Sequence, residues 1–110
     1  MNLPEMPFSA IYWDSVPAVE HAGETGTSYW RSFEVKELRV RIVDYGPGYA
    51  ADHWCDRGHV LHVLSGEMTV VLKDGRETRL VPGTGFCVSD YGDSAHLVRT
   101  EGGCRALIVD

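Results

Sequence analysis

The chain has 110 residues, 44% of them hydrophobic and 24% charged, which is the length and composition of a single globular domain. Its formal net charge is -6 and it has no run of lysines and arginines, so it lacks the electrostatic signature of a nucleic-acid-binding protein. No apolar stretch approaches the roughly 20 residues of a membrane helix. Residues 1–15 lack the basic start and apolar run of a signal peptide, so we expect a cytoplasmic protein with no membrane partner.

The first segment, residues 1–27, is predicted to be an N-terminal arm that precedes a barrel over residues 28–110. Proline and glycine are frequent in the arm, yet it also contains Phe8, Tyr12 and Trp13. This is a high aromatic content for a solvated tail. We therefore expect the arm to pack on the barrel or on a partner subunit.

The remainder of the chain divides into short apolar segments separated by turn residues. The separators are rich in glycine, proline and aspartate, and Asp74-Gly75 between two apolar runs indicates a hairpin. Nine short strands at this spacing predict an all-β sandwich or barrel. The predicted strands cover residues 28–33, 35–45, 51–55, 59–65, 68–73, 77–81, 85–89, 96–100 and 104–110.

The second of these strands shows a period of two. Leu38, Val40 and Ile42 alternate with Arg39 and Arg41, which predicts that the apolar residues are buried. The two arginines are accordingly interpreted as part of a solvent-exposed or interface face.

Nitrogen and sulfur donors are concentrated at the next two predicted strands. His53 and Cys55 are two residues apart and so share a face, and His59 opens the following strand after a short turn. The same alternation places His62 on the opposite face. Imidazole and thiolate suit zinc, and imidazole also suits iron, nickel and copper. The alternative is a polar barrel interior with a hydrogen-bonded histidine pair and a buried cysteine.

These residues resemble the two sequence motifs of the cupin superfamily. In the first motif, Gly48, His53-Trp54-Cys55, His59 and Gly66 stand in the expected order, and Val63 to Glu67 is similar to the strand end "VLxGE". In the second motif, the matching residues are Pro82-Gly83, the strand to Ser89, Tyr91-Gly92-Asp93 and His96. The segment from Ala51 to Cys55, followed by Gly58-His59, resembles more narrowly the small bacterial group of DHCW-motif cupins.

The resemblance implies a metal shell of His53, Cys55, His59 and His96. Cys55 stands where a usual cupin has its second histidine, and His59 where it has its glutamate. The shell would therefore contain three imidazoles, one thiolate and no carboxylate, and activities of better-known cupins do not transfer to it directly. A divalent transition metal is expected, with zinc first and iron, nickel or copper as alternatives.

The resemblance also implies a fold, a partner and a range of functions. The fold would be a double-stranded β-helix of jelly-roll type, and the partners would be a second copy of the chain and a small-molecule ligand. The protein would bind or transform a small polar or anionic molecule at the metal. The alternatives are a non-catalytic binding or sensing module and a metal-free structural barrel. No aspartate or glutamate is expected to face the lumen near the donors.

Three further residues have simple interpretations. His21 is interpreted as a surface histidine, Cys87 as a core residue and Cys104 as a residue without a chemical role. Because three cysteines is an odd number and the expected compartment is reducing, no disulfide framework is predicted.

Overall fold

The computed structural model describes residues 3–93 and 95–110. Within these residues the chain forms nine strands and a single 3-10 turn at Trp13–Ser15. None of the described helical segments has the length and apolar character needed to cross a membrane. The strands are β1 (Val19–Ala22), β2 (Thr27–Val35), β3 (Leu38–Tyr45), β4 (His59–Gly66), β5 (Met68–Leu72), β6 (Glu77–Leu80), β7 (Gly85–Val88), β8 (His96–Arg99) and β9 (Cys104–Val109).

The strands form two antiparallel sheets. The larger sheet has the order β1-β2-β3-β9-β4-β7, and the smaller has the order β6-β5-β8. Their facing sides enclose one apolar core, which confirms the predicted all-β architecture with a single core. The larger sheet contributes Val43, Leu61, Val63, Ala106 and Ile108, and the smaller contributes Met68, Val70 and Leu80.

One predicted strand is wrong. Residues 51–55 form a loop whose ladder contact is a single bridge between Cys55 and His96. The strand missing from the prediction is β1, which lies within the segment assigned to the arm and pairs antiparallel with β2. Alternating side chains are not enough to make a strand, which also needs a neighbouring strand to pair with along its length. Residues 51–55 lack such a neighbour.

The predicted hairpin at Asp74-Gly75 is present and joins β5 to β6. The amide of Gly75 donates to the carbonyl of Leu72, and the amide of Leu72 donates to the carbonyl of Arg76. Gly75 has a φ of 102°, a conformation that favours glycine. The turn therefore closes with glycine at its left-handed position.

The interpretation of the arginines on β3 is wrong for Arg41. In the sheet register Arg41 lies opposite Ile108 and two residues from Val43, both of which belong to the core. Arg41 is therefore on the inner face and is only 5% exposed. The continuation of β3 to Val43 explains the error, since Val43 is completely buried and fixes the face that Arg41 must share.

Candidate functional site

Two histidines from different sheets meet inside the barrel. His59 is the first residue of β4 in the larger sheet, and His96 is the first residue of β8 in the smaller sheet. Their Nε2 atoms are 3.1 Å apart, and His96 is only 3% exposed. The ring of Phe86 contacts both, with centroid distances of 5.5 Å to His59 and 5.7 Å to His96. The Phe86 ring therefore packs against both imidazoles, whose Nε2 atoms point towards each other.

The environment keeps the His59 ring neutral at neutral pH. Burial, and then the nearby His96 ring, lower the pKa of His59 to about 4. A neutral imidazole can offer a nitrogen lone pair, and an imidazolium cannot. The His59 ring is therefore in the protonation state that metal binding requires.

The backbone of Cys55 is hydrogen-bonded to the backbone of His96. The amide of Cys55 donates to the carbonyl of His96 at 2.8 Å, and the amide of His96 donates to the carbonyl of Cys55 at 2.9 Å. Residues that exchange both bonds are directly opposite each other, so their side chains lie on the same side of the bridge. The half-buried Cys55 thiol donates to the carbonyl of Arg57 at 3.8 Å.

The side chain of His53 does not join His59 and His96 but lies at the surface. Its side chain is 77% exposed, and its Nδ1 lies 2.7 Å from the Oδ1 of Asp52. Within residues 3–93 and 95–110, no group of three or more His, Cys, Asp or Glu side chains is arranged to hold a metal ion. Of the four predicted ligands, the structure therefore joins His59 and His96. His62 is exposed, as the strand alternation predicts.

The distance between the Nε2 atoms of His59 and His96 is close to that of two imidazoles bound to one metal ion. Two imidazole nitrogens bound to one zinc ion at about 2.0–2.1 Å would be roughly 3.3 Å apart at the tetrahedral angle. The observed separation of the Nε2 atoms is 3.1 Å. Imidazole nitrogens at this spacing suit zinc and also iron, nickel or copper.

An arginine–aspartate cluster lies on the same inner face as His59. Arg39 donates from Nε and Nη2 to the two carboxylate oxygens of Asp110 at 3.1 Å and 2.9 Å, and Arg41 Nη2 lies 3.5 Å from Oδ2. Burial raises the pKa of Asp110, but the hydrogen bond from Arg39 and the charges of Arg41 and Arg39 hold it below its usual value. Asp110 is also an electrostatic neighbour of His59, so the expectation of no acidic residue near the donors is wrong.

Aromatic rings cover the other side of Arg41. Its guanidinium carbon is 4.5 Å from the centroid of the Trp30 ring, a cation–π distance. The His21 ring stacks on Trp30 at 3.8 Å and is half-buried, so His21 is not a freely exposed histidine. Sequence reasoning missed Arg41 and Trp30 as residues of the barrel interior.

A small cavity adjoins His96. It has a volume of about 150 Å³, which is below the roughly 300–1,000 Å³ typical of sites for drug-sized ligands. Its walls come from β5 to β8, and they include Val70, Leu72, Leu80, Phe86, Val88 and His96. Thr78, Cys87 and Asp93 also line it, so the apolar walls carry a few polar groups.

Of the two remaining cysteines, Cys87 is exposed and Cys104 is buried. Cys87 is exposed on β7 and is not a core residue. Cys104 is buried, and burial raises the pKa of its thiol to about 11. A thiol with this pKa remains protonated at neutral pH, which agrees with a packing role for Cys104.

Comparison with known proteins shows what this architecture is similar to. No family model matches the sequence, and no curated protein matches it either. A predicted oxalate decarboxylase from Thermotoga maritima has a similar structure, with a TM-score of 0.77 and 14% identity over 92% of this chain and 96% of that chain. The polyketide cyclase RemF from Streptomyces resistomycificus has a TM-score of 0.73 and 22% identity over 94% of this chain and 78% of that chain. A cupin-2 domain protein from Shewanella frigidimarina has a TM-score of 0.59 and 15% identity over 74% and 78%. At these identities the likeness is one of fold.

We predict that His59 makes the stability of the metal-free protein depend on pH. The unfolded ring titrates near about 6.5, whereas in the folded protein its pKa is lowered to about 4. Between these values the unfolded chain binds the proton and the folded chain does not, so stability should fall as the pH falls from about 6.5 to 4. Thermal melting across this range should show a shallower slope for His59→Gln than for the parent chain. The exposed control His62→Gln should keep the parent slope, and equal slopes in all three proteins would contradict the prediction.

Proposed function

Because this chain has the cupin fold, we propose that it is a small metal-binding protein whose ion lies in the barrel. In this proposal His59 and His96 hold the ion, and Cys55 and His53 complete the shell. The observation that carries the proposal is the approach of two Nε2 atoms from opposite sheets to 3.1 Å. The protein would bind or transform a small polar or anionic molecule next to the ion.

Zinc is the ion that we propose first, and iron, nickel and copper are the alternatives. A thiolate together with imidazoles favours zinc-like ions over the hard ions that prefer oxygen ligands. Once bound, such an ion would supply Lewis-acid chemistry to a ligand in the adjoining cavity. His53 would need to leave Asp52 and turn towards the lumen, since its ring is exposed in the structure.

The chain's own residues would support this site in two ways. Phe86 and the apolar residues of the cavity would limit the access of water to the histidines, which strengthens electrostatic interactions there. Asp110 remains ionised within its arginine cluster, so it places a fixed negative charge near His59.

A non-catalytic binding or sensing role is the alternative to catalysis. If His53, Cys55, His59 and His96 all coordinate the ion, the tetrahedral shell is closed, and catalytic sites usually keep a position open. The cupin fold does not choose between these roles, because one fold hosts many chemistries. A metal-free structural barrel is the third possibility, and the titration below separates it from the other two.

We predict that the protein binds one zinc ion per chain and that the histidine pair is required. Isothermal titration of the metal-free protein with zinc should show this stoichiometry. His59→Ala and His96→Ala should each abolish measurable binding, because each removes one of the converging nitrogens. The matched control His62→Ala lies on the outer side of the same strand and should bind normally. Unchanged zinc affinity in both ligand variants would overturn the proposal.

The role of Cys55 is tested by metal selectivity. Cys55→Ser should weaken zinc binding by more than tenfold and manganese binding by much less, because thiolate is the softest donor of the set. The exposed-thiol control Cys87→Ser should change neither affinity. Equal losses for zinc and manganese in Cys55→Ser would remove Cys55 from the proposed shell.

We also propose that the protein is a homodimer to which the arm contributes. Phe8 is 97% exposed, Tyr12 74% and Leu3 63%, so several large apolar side chains of the arm lie in solvent in the isolated chain. A second copy would cover these side chains, since large exposed apolar surfaces mark interaction sites.

Light scattering coupled to gel filtration tests this assembly. The parent chain should elute with twice the mass of one chain, and the double variant Phe8→Ser, Tyr12→Ser should shift towards the monomer. The control Val19→Ser changes an apolar residue that is also exposed but lies on β1, and it should leave the mass unchanged. A monomeric parent chain would contradict the proposal.

A further inference from the structure

One short segment of the arm has backbone groups without partners. Residues 8–12 lie between Pro7 and the 3-10 turn, and they have no regular secondary structure and no proline. Within the described part of the chain, the backbone of residues 8–11 makes no hydrogen bond to another backbone group. In an extended conformation Phe8 and Tyr12 would share a face, and both side chains are exposed. The segment therefore has the free backbone and the exposed apolar side chains of a strand that lacks a sheet.

The larger sheet has an open edge at β7. Among the described strands, β7 pairs with β4 alone and is last in the sheet order. The amide of Val63 donates to the carbonyl of Thr84, just before β7 begins. Bonded and non-bonded pairs alternate in an antiparallel ladder, so the backbone groups of Gly85 and Cys87 point away from β4. No other described backbone group bonds to them, and this edge is therefore free to take another strand.

An apolar groove lies beside this edge on the outer face of the sheet. Val109, Val60 and Cys87 lie opposite one another across β9, β4 and β7, so they share a face. Their sequence neighbours Ile108 and Leu61 belong to the core, which places the three residues on the outer side. The groove that they line has a volume of about 580 Å³, and the Val60 side chain is 46% exposed.

We propose that residues 8–12 of a second copy of the chain add to β7 as a further strand, with Phe8 and Tyr12 in this groove. The inference rests on the proposed homodimer and names the surface that receives the arm. Addition of a strand to an open edge combines main-chain hydrogen bonds with pockets for alternate side chains. Residues 8–12 are about as long as the four residues of β7. They carry no charged side chain, so they bring no charge to Asp90 and Asp110 in the lining of the groove.

The area that the exchange would bury is enough for a stable dimer. A buried aromatic side chain contributes about 150–250 Å². If two copies exchange arms symmetrically, Phe8 and Tyr12 of both arms, with the surface that they cover, bury about 1,200–2,000 Å². This is the size of a standard protein interface. In the single chain both rings remain exposed, so they do not occupy the chain's own groove.

The exchange would also complete the candidate site. His59 and Asp110 belong to the lining of the same groove. An arm seated there would lie against the start of β4 and would limit the access of water to His59 from this side. The partner copy would thus supply part of the wall around the candidate metal centre.

A chemical cross-link tests the position of the arm. Ala10 lies between Phe8 and Tyr12 and shares their face in an extended segment, so the thiol introduced by Ala10→Cys should lie near the free thiol of Cys87 on the second copy. The full chain with Ala10→Cys is treated with a short bis-maleimide, and the linked peptides are identified by mass spectrometry. We expect a covalent dimer joined between positions 10 and 87 of different copies.

Two matched variants control this cross-link. Ala18→Cys places a thiol at an exposed alanine of the arm outside the segment and should give at least tenfold less of the link to Cys87. Addition of Cys87→Ser to Ala10→Cys should remove the link. Equal yields from Ala10→Cys and Ala18→Cys, or a link formed within one chain, would overturn the inference.

The receiving surface is tested by the mass of the assembly and by hydrogen exchange. Val60→Lys should shift the dimer towards the monomer. Tyr29→Lys should not, because Tyr29 has a similar exposure of 42% but lies on β2, away from β7. In the dimer, the outward-pointing amides of Gly85 and Cys87 should exchange at least tenfold more slowly than in the double variant Phe8→Ser, Tyr12→Ser.

The outcomes separate this inference from the proposed function. If the parent chain is a dimer but Val60→Lys leaves its mass unchanged and no link to Cys87 forms, the homodimer stands and the groove is not its receiving surface. A monomeric parent chain overturns both the homodimer and this inference. Neither result bears on the metal proposal, which the zinc titration decides independently.

Discussion

Two sheets of the barrel are joined at their polar end by a pair of imidazoles. His59 starts a strand in one sheet, His96 starts a strand in the other, and their Nε2 atoms lie 3.1 Å apart. Further along the same strands, Leu61 belongs to the apolar core and Val98 packs against it. The contact of the two rings therefore marks the boundary between a packed core and a polar site, and the other features of the site are arranged around it.

The electrostatics of this boundary follow from burial. His59 is kept neutral because charging it would cost desolvation and would oppose the other positive groups nearby. Arg41 cannot respond in the same way, since a guanidinium does not lose its proton in a protein. The site thus combines a neutral imidazole at His59 with a permanently charged cluster of Arg39, Arg41 and Asp110.

The sequence could predict most of the strands from local alternation and turn residues, and the motifs around His59 and His96 indicated that these two histidines lie close together. It could not predict the position of His53, because residues 51–55 form a loop and strand parity does not apply to a loop. Arg41 was missed for another reason. Val40, Ile42 and Val43 place apolar residues on both faces of β3, so the inner face is fixed only by packing against Ile108 and the rest of the core.

A crystal of the zinc-loaded protein, with anomalous scattering recorded on both sides of the zinc absorption edge, tests the central claim most directly. The account predicts one strong anomalous peak inside each barrel, at coordination distance of about 2.0–2.1 Å from the Nε2 atoms of His59 and His96. A peak bound only at surface residues such as His62, or no peak in a barrel whose two rings keep their observed contact, would contradict it.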